Sequence, residues 1–178
     1  PQAHEEVEPS FEHTPAGAIP EVTVQGVDVR VLVGEAFGVR SPVKTLSRTL
    51  YLDIALPAGG RFELPALAPE LAVYTVDADA SVDGEPVAAH TMAVLPAGQG
   101  AVLTADTAVR LMVIGGEPLD GPRYITWNFV SSRRKRILEA GADWAAQRMG
   151  HVPGETEFIP LPGKPFGVRE PDAGSTPV

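Results

Sequence analysis

TLYLDIALPAGGRFEL, Thr49 to Leu64, is the stretch that decides the fold. Leu50, Leu52, Ile54 and Leu56 fall on every second residue. Tyr51, Asp53 and Ala55 lie between them. This period of two places the four aliphatic side chains on one face of a strand. Pro57-Ala58-Gly59-Gly60 then forces a turn, and Arg61 to Leu64 reads as a short returning strand. The pattern repeats outward. Val22 to Val33 alternates, with Val27, Val29, Val31 and Val33 on one face and Asp28, Arg30 and Leu32 on the other. Gly34 to Pro42 reads as a loop. Leu71 to Val76 is a strand, Val82-Asp83-Gly84-Glu85 a hairpin turn, and Thr91 to Leu95, Ala101 to Thr104 and Val109 to Ile114 are further strands. Short strands at this spacing, with no helical period among them, indicate a sandwich or barrel.

Bulk composition narrows the function. The chain has 178 residues, 44% of them hydrophobic and 21% charged, which suits one packed domain with extensions rather than a disordered chain. Its 18 glycines and 18 prolines suit many tight turns. A net charge of −9 argues against general affinity for nucleic acid or anionic membrane. There is no cysteine, hence no disulfide framework and no thiolate chemistry. No apolar run approaches the ~20 residues of a membrane helix, and no basic-then-apolar leader is present. The expected location is cytoplasmic.

The segment Ile114 to Ile137, IGGEPLDGPRYITWNFVSSRRKRI, joins the strands to a different regime. Glycines and prolines from 115 to 122 end the last strand, and Tyr124, Ile125, Trp127, Phe129 and Val130 carry a dense apolar load. Ser131 or Ser132 is placed to cap a helix running to Met149. Ile137, Gly141, Trp144, Ala145 and Arg148 form its docking face, with Leu138, Ala142 and Met149 beside it. Gly150 to Val178 is proline-rich and reads as an extended tail. Pro1 to Glu21 has five acids, no Lys or Arg, and prolines at 1, 9, 15 and 20, so it reads as an extended arm needing an acceptor surface, with Val7, Phe11 and Ile19 as anchors. Arg133-Arg134-Lys135-Arg136 stands where the helix dipole disfavours cations, which points to acidic partners. Glu5, Glu6, Glu8 and Glu12 of the arm are the supply, ahead of a nucleic-acid reading. His4, His13, His90 and His151 have no metal-ligand spacing. Ser131 and Ser132 lack the His–Asp company of a nucleophile.

GGEPLDGPRYITWNFVSS resembles the segment after the second barrel of bacterial pirin-like proteins. The resemblance extends to HEEVEPSFEHTPAGAIPEV (His4 to Val22), RTLYLDIALPAGGRFELP (Arg48 to Pro65) and PGETEFIPLP (Pro153 to Pro162). It implies an all-β fold: a single cupin (RmlC-like jelly-roll) barrel, with an N-terminal extended arm, a C-terminal α-helix and a proline-rich tail. The divisions read as 1–21 (arm), 22–130 (barrel) and 131–178 (helix and tail). Pirin-like proteins are bicupins, and the resemblance implies an upstream cupin whose His and Glu ligands hold iron. A metal-binding cupin uses a glycine, a His-x-His pair and a Glu, then Pro-x-Gly and a further His, so that three imidazoles and a carboxylate converge on one metal. Here Gly59-Gly60 and Pro96-Ala97-Gly98 match the turns. The ligand positions fall at Pro65 to Leu67, Glu70 and Ala101, which offer one carboxylate and no imidazole. The expectation is a barrel with no metal and no catalytic residue of its own. Trp127, Trp144, Arg133, Arg134 and Arg136 are candidates for an interface, the partner being the N-terminal cupin of the same protein or another copy.

Two functional readings follow. In one, the chain is the metal-free C-terminal cupin of a pirin-like protein and scaffolds the iron-binding half; the family's activities are quercetin 2,3-dioxygenase or redox-sensitive transcriptional co-regulation. In the other, it stands alone as a ligand-binding or protein-interaction module with an apolar pocket in the barrel interior.

Overall fold

A computed structural model describes residues 1–8, 10–151 and 153–162. The end of the expected tail, from residue 163, lies outside the described residues. The chain forms two compact units. One runs from Glu8 to Pro118; the other combines Pro1–Val7 with the segment from Leu119. The units therefore part at neither 21/22 nor 130/131, because the first seven residues pair with sequence more than a hundred positions away.

Among its described residues the larger unit contains twelve strands: β1 (Glu21–Val24), β2 (Val27–Val33), β3 (Glu35–Ala36), β4 (Val39–Arg40), β5 (Thr49–Leu56), β6 (Gly60–Leu64), β7 (Glu70–Thr75), β8 (Ala80–Val82), β9 (Glu85–Val87), β10 (Met92–Val94), β11 (Ala101–Ala105) and β12 (Val109–Gly116). A six-stranded sheet has the order β1-β2-β5-β12-β7-β10, and a four-stranded sheet the order β6-β11-β8-β9. All pairings are antiparallel. This is the jelly-roll barrel expected. Its core takes one face of each strand. Val29, Val31, Leu52, Ile54, Val73, Leu111 and Val113 from the first sheet meet Phe62 and Leu103 from the second, and none has measurable exposure. Each such side chain contributes about 1.5–3 kcal/mol by leaving water.

Two turns depart from expectation. Val22 to Val33 is a hairpin rather than one strand: Gln25 (φ 53°) and Gly26 (φ 78°) turn the chain, and Val24 pairs with Val27. Both turn residues have positive φ, the conformation that two-residue hairpins favour and that normally selects Asn or Gly. Gln25 is held there from afar. Its side-chain amide donates to the Glu63 carbonyl (3.0 Å), and its carbonyl accepts the Glu63 N–H (2.8 Å). Likewise Gly34 to Pro42 is not a plain loop; it contains the β3–β4 hairpin turning through Phe37 (φ 51°) and Gly38 (φ 80°). The Phe37 ring meets Phe62 edge-on at 6.0 Å, and that packing holds a bulky residue in a costly conformation. Asp83-Gly84 forms the hairpin turn its sequence indicates.

The smaller unit holds a 3-10 turn (Gln2–His4), a hairpin of β13 (Tyr124–Thr126) and β14 (Phe129–Ser131), and helix α1 (Arg134–Ala145). The helix is shorter than Ser131 to Met149 because β14 claims Ser131. Arg133 occupies the N-cap position and makes no side-chain cap bond. Ile137, Ala140 and Gly141 are buried, Trp144 is half-buried and Leu138 is exposed. The expected arm is not one element. Residues 1–7 belong to this unit, and the following residues to the barrel, with a 3-10 turn at Ala16–Ala18. Phe11 is 93% exposed and Val7 51%, so neither is buried against the described residues of this chain; Ile19 is half-buried.

Candidate functional site

The motif turns are present and built as turns. Gly59 has φ 68°, and Gly98 has φ 69° with its N–H donating to the Pro69 carbonyl (2.8 Å). Of the ligand positions, Pro65 is exposed beyond β6, Leu67 is half-buried in the loop that follows, and Ala101 is buried opposite Leu64. Glu70 is exposed at the first residue of β7. None of Pro65, Leu67 and Ala101 carries a side-chain donor, and Phe62 and Phe37 fill adjoining space. These residues do not fit a mononuclear metal, which needs several converging imidazole or carboxylate ligands. Among the described residues no three His, Cys, Asp or Glu side chains are grouped to hold one. The four histidines are all exposed.

Two open clefts lie near these positions. The larger, about 1200 Å³, is bounded by the β3–β4 hairpin, the irregular loop 41–48 and the loop 66–68, and Leu67 lines it. The smaller, about 640 Å³, is lined by Pro65 and Ala101 together with Gln25 and Phe37. Phe37 borders both. The barrel interior is lined by the buried aliphatic and aromatic side chains of the core.

The interface candidates gather in the smaller unit. Trp127 sits at the hairpin tip with φ 51°, and its ring lies 5.3 Å from Trp144 and 5.6 Å from Phe129. Trp144 stacks on Phe158 at 5.6 Å, and its indole N–H donates to the Ile159 carbonyl (2.8 Å). Both tryptophans are half-buried. Arg133 and Arg136 pair with Glu6, and Arg134 opens the helix on its exposed side.

Beside Glu6, Glu5 has a role that no local signal announces. Its carboxylate accepts the Ser132 N–H (2.9 Å), the Ser132 hydroxyl (2.9 Å) and the Ser131 hydroxyl (3.2 Å), and pairs with Arg123 Nε (2.9 Å). The Ser131 hydroxyl in turn accepts the Arg133 N–H (3.1 Å). The amides before the helix are thus satisfied partly by a residue 127 positions away. Burial alone would raise the Glu5 pKa; the Ser132 hydroxyl and amide, the Ser131 hydroxyl and the Arg123 guanidinium outweigh it and hold the carboxyl below its ordinary value. Arg123, whose side chain is only 8% exposed, also pairs with Asp120, and that bond, with the Gln2 amide, keeps the Asp120 carboxyl low. Arg123 and Asp120 were not legible as a site, since Glu5 and Gln2, which complete their network, lie near the other end of the chain.

Comparison with known proteins agrees with this geometry. Residues 51–150 match the family described as Pirin C-terminal cupin domain. A pirin-like protein of Caulobacter vibrioides is 42% identical over 165 residues, covering 91% of this chain and 57% of that protein. Human pirin is 30% identical over 151 residues, covering 81% of this chain and 52% of pirin. A crystal structure of a quercetin 2,3-dioxygenase from Acinetobacter baumannii superposes with TM-score 0.84 at 29% identity, over 95% of this chain and 57% of that one. The chain spans a little over half the length of these relatives. It belongs to the pirin family, and its barrel is that family's C-terminal cupin domain.

Proposed function

We propose that this chain scaffolds an iron-binding N-terminal cupin and performs no chemistry itself, the whole protein being a quercetin 2,3-dioxygenase-type oxygenase or a redox-sensitive transcriptional co-regulator. The observation that carries this reading is the chemistry at the ligand positions: Pro65, Leu67 and Ala101 offer no donor, and Glu70 stands alone and exposed. A lone carboxylate is a poor metal site, whereas oxygen chemistry on a flavonol needs a metal with several fixed ligands and open positions. The family match and the similarity to a quercetin 2,3-dioxygenase support placing that chemistry in the other half. Iron, in this reading, belongs to the upstream barrel. The interface draws on the unit that holds Trp127, Trp144, Arg133, Arg134 and Arg136, with the upstream cupin or another copy as partner. Nucleic acid is not a partner, because the net charge is −9 and Arg133 and Arg136 already face Glu6. Among the described residues no helix is long and apolar enough to cross a membrane, and we place the protein in the cytoplasm.

The test has two arms. Quercetin turnover by the 178-residue chain with ferrous iron should equal that of iron in buffer. Adding a separately expressed upstream half should yield a complex and iron-dependent turnover. Turnover by the chain alone, abolished by a chelator and by Glu70→Ala, overturns the metal-free reading. An upstream half that folds but never associates favours a stand-alone binding module, for which the open cleft of about 1200 Å³ is the specific support.

A further inference from the structure

The larger cleft has a chemistry of its own. Residues 36–52 contain Arg40, Lys44 and Arg48 and no Asp or Glu, in a chain whose net charge is −9. All three cations line the cleft. Each has an acidic partner: Arg40 pairs with Glu35, Lys44 with Glu12 (3.0 Å) and Arg48 with Glu117 (3.4 Å). Only Glu35 among these acids lines the cleft. The pairs are solvent-exposed on both sides, and exposed pairs contribute little, so an incoming carboxylate can take a cation from its present partner at small cost. The remaining lining combines Phe37, Leu46 and Leu67 with Ser41, Thr45, Ser47 and Thr49. Leu46 lines the cleft while 59% exposed, Leu67 is half-buried, and Phe37 closes the side toward the barrel core through its edge-on contact with Phe62. Arg48 Nη2 also donates to the Leu67 carbonyl (3.0 Å), which ties the two loops that form the mouth.

We propose that this cleft binds a small organic anion with an apolar body, an aryl or alkyl carboxylate, its charge met by Arg40 and Lys44 and its body covering Leu46 and Leu67. Three cations beside Phe37, Leu46 and Leu67, with serine and threonine residues between them, are the complement of such a molecule, and the volume is ample for a ligand with its bridging waters. The site is independent of whether an upstream barrel carries iron, because every residue named belongs to this chain's own barrel unit.

The experiment titrates the full chain calorimetrically with 2-naphthoate and with its neutral counterpart 2-naphthalenemethanol, and maps backbone amide shifts with both. Naphthoate should bind about ten-fold or more tightly than the alcohol at low salt, and the gap should shrink at high salt. Its shifts should fall on residues 34–50 and 66–68. In an Arg40→Gln, Lys44→Gln double variant the two probes should bind within about two-fold of each other, and Leu46→Glu should abolish naphthoate binding. Equal affinity for both probes, no binding, or shifts centred elsewhere overturns the proposal. The amide map on the unaltered protein decides the matter even where a variant folds poorly.

Discussion

Replacing Ile137 and Leu138 one at a time asks whether α1 docks with the phase seen here. Ile137 is 1% exposed and Leu138 51%. They are neighbours of nearly equal hydrophobicity, and the lower helix propensity of Ile makes its replacement by Ala the more favourable on propensity alone, so a larger loss at Ile137 comes from tertiary packing. Ile137→Ala deletes three buried carbons at about 0.8 kcal/mol each, roughly 2.4 kcal/mol before any cavity. A residual cavity brings the expected loss to about 3 kcal/mol, inside the usual range for such truncations. For a unit this small, that corresponds to a fall in midpoint of roughly 12–24 °C. Leu138→Ala should cost within about 0.5 kcal/mol, a shift of a few degrees at most. The assay is thermal unfolding followed by tryptophan emission. The chain has two tryptophans, Trp127 and Trp144, and their rings lie 5.3 Å apart in this unit, so emission reports its packing directly. Equal shifts for the two variants, or a larger one for Leu138→Ala, would refute the docking phase and the energetic reasoning with it.

Two further outcomes follow from the geometry. Glu5→Gln should lower the emission midpoint near neutral pH and leave it almost unchanged in acid: the folded carboxyl titrates below its ordinary 4.5, so its stabilisation is present above that value and lost as pH falls through the folded pKa. A gap between variant and parent that stays constant with pH would count against the Glu5 network. Gly34→Ala should destabilise the barrel by about 3 kcal/mol or more in urea, because a Cβ there would lie 2.2 Å from the Thr49 carbonyl oxygen on top of φ +87°. Gly38→Ala, at φ +80° with nothing within 4 Å, should cost only about 1–2 kcal/mol, and similar losses for the two would remove the steric argument.

What the sequence determined by itself is whatever repeats locally. Alternation in Leu50, Leu52, Ile54 and Leu56 dictates a strand and its buried face, and all four are core residues. Pro57 to Gly60 and Asp83-Gly84 turn where their own backbone preferences require it. The missing imidazoles at Pro65, Leu67 and Ala101 are a matter of residue type and need no coordinates. The tertiary structure decided everything that depends on a distant partner. Gln25 and Phe37 hold positive φ with the Glu63 backbone and the Phe62 ring as distant partners, so the glycines that follow them mark a turn while nothing local selects Gln or Phe for it. Ser131 and Ser132 attract notice as caps, yet the group that satisfies the Ser132 amide is Glu5, and Arg123 closes the same network. The cleft cations lie in one sequence stretch, but their cleft exists only once the loop at Ala66 to Ala68 is brought beside them. The physical reason is common to all of these. A residue's period and backbone preference act over a few bonds, whereas a hydrogen bond or ring contact across tens of residues leaves no trace in the residues between its ends.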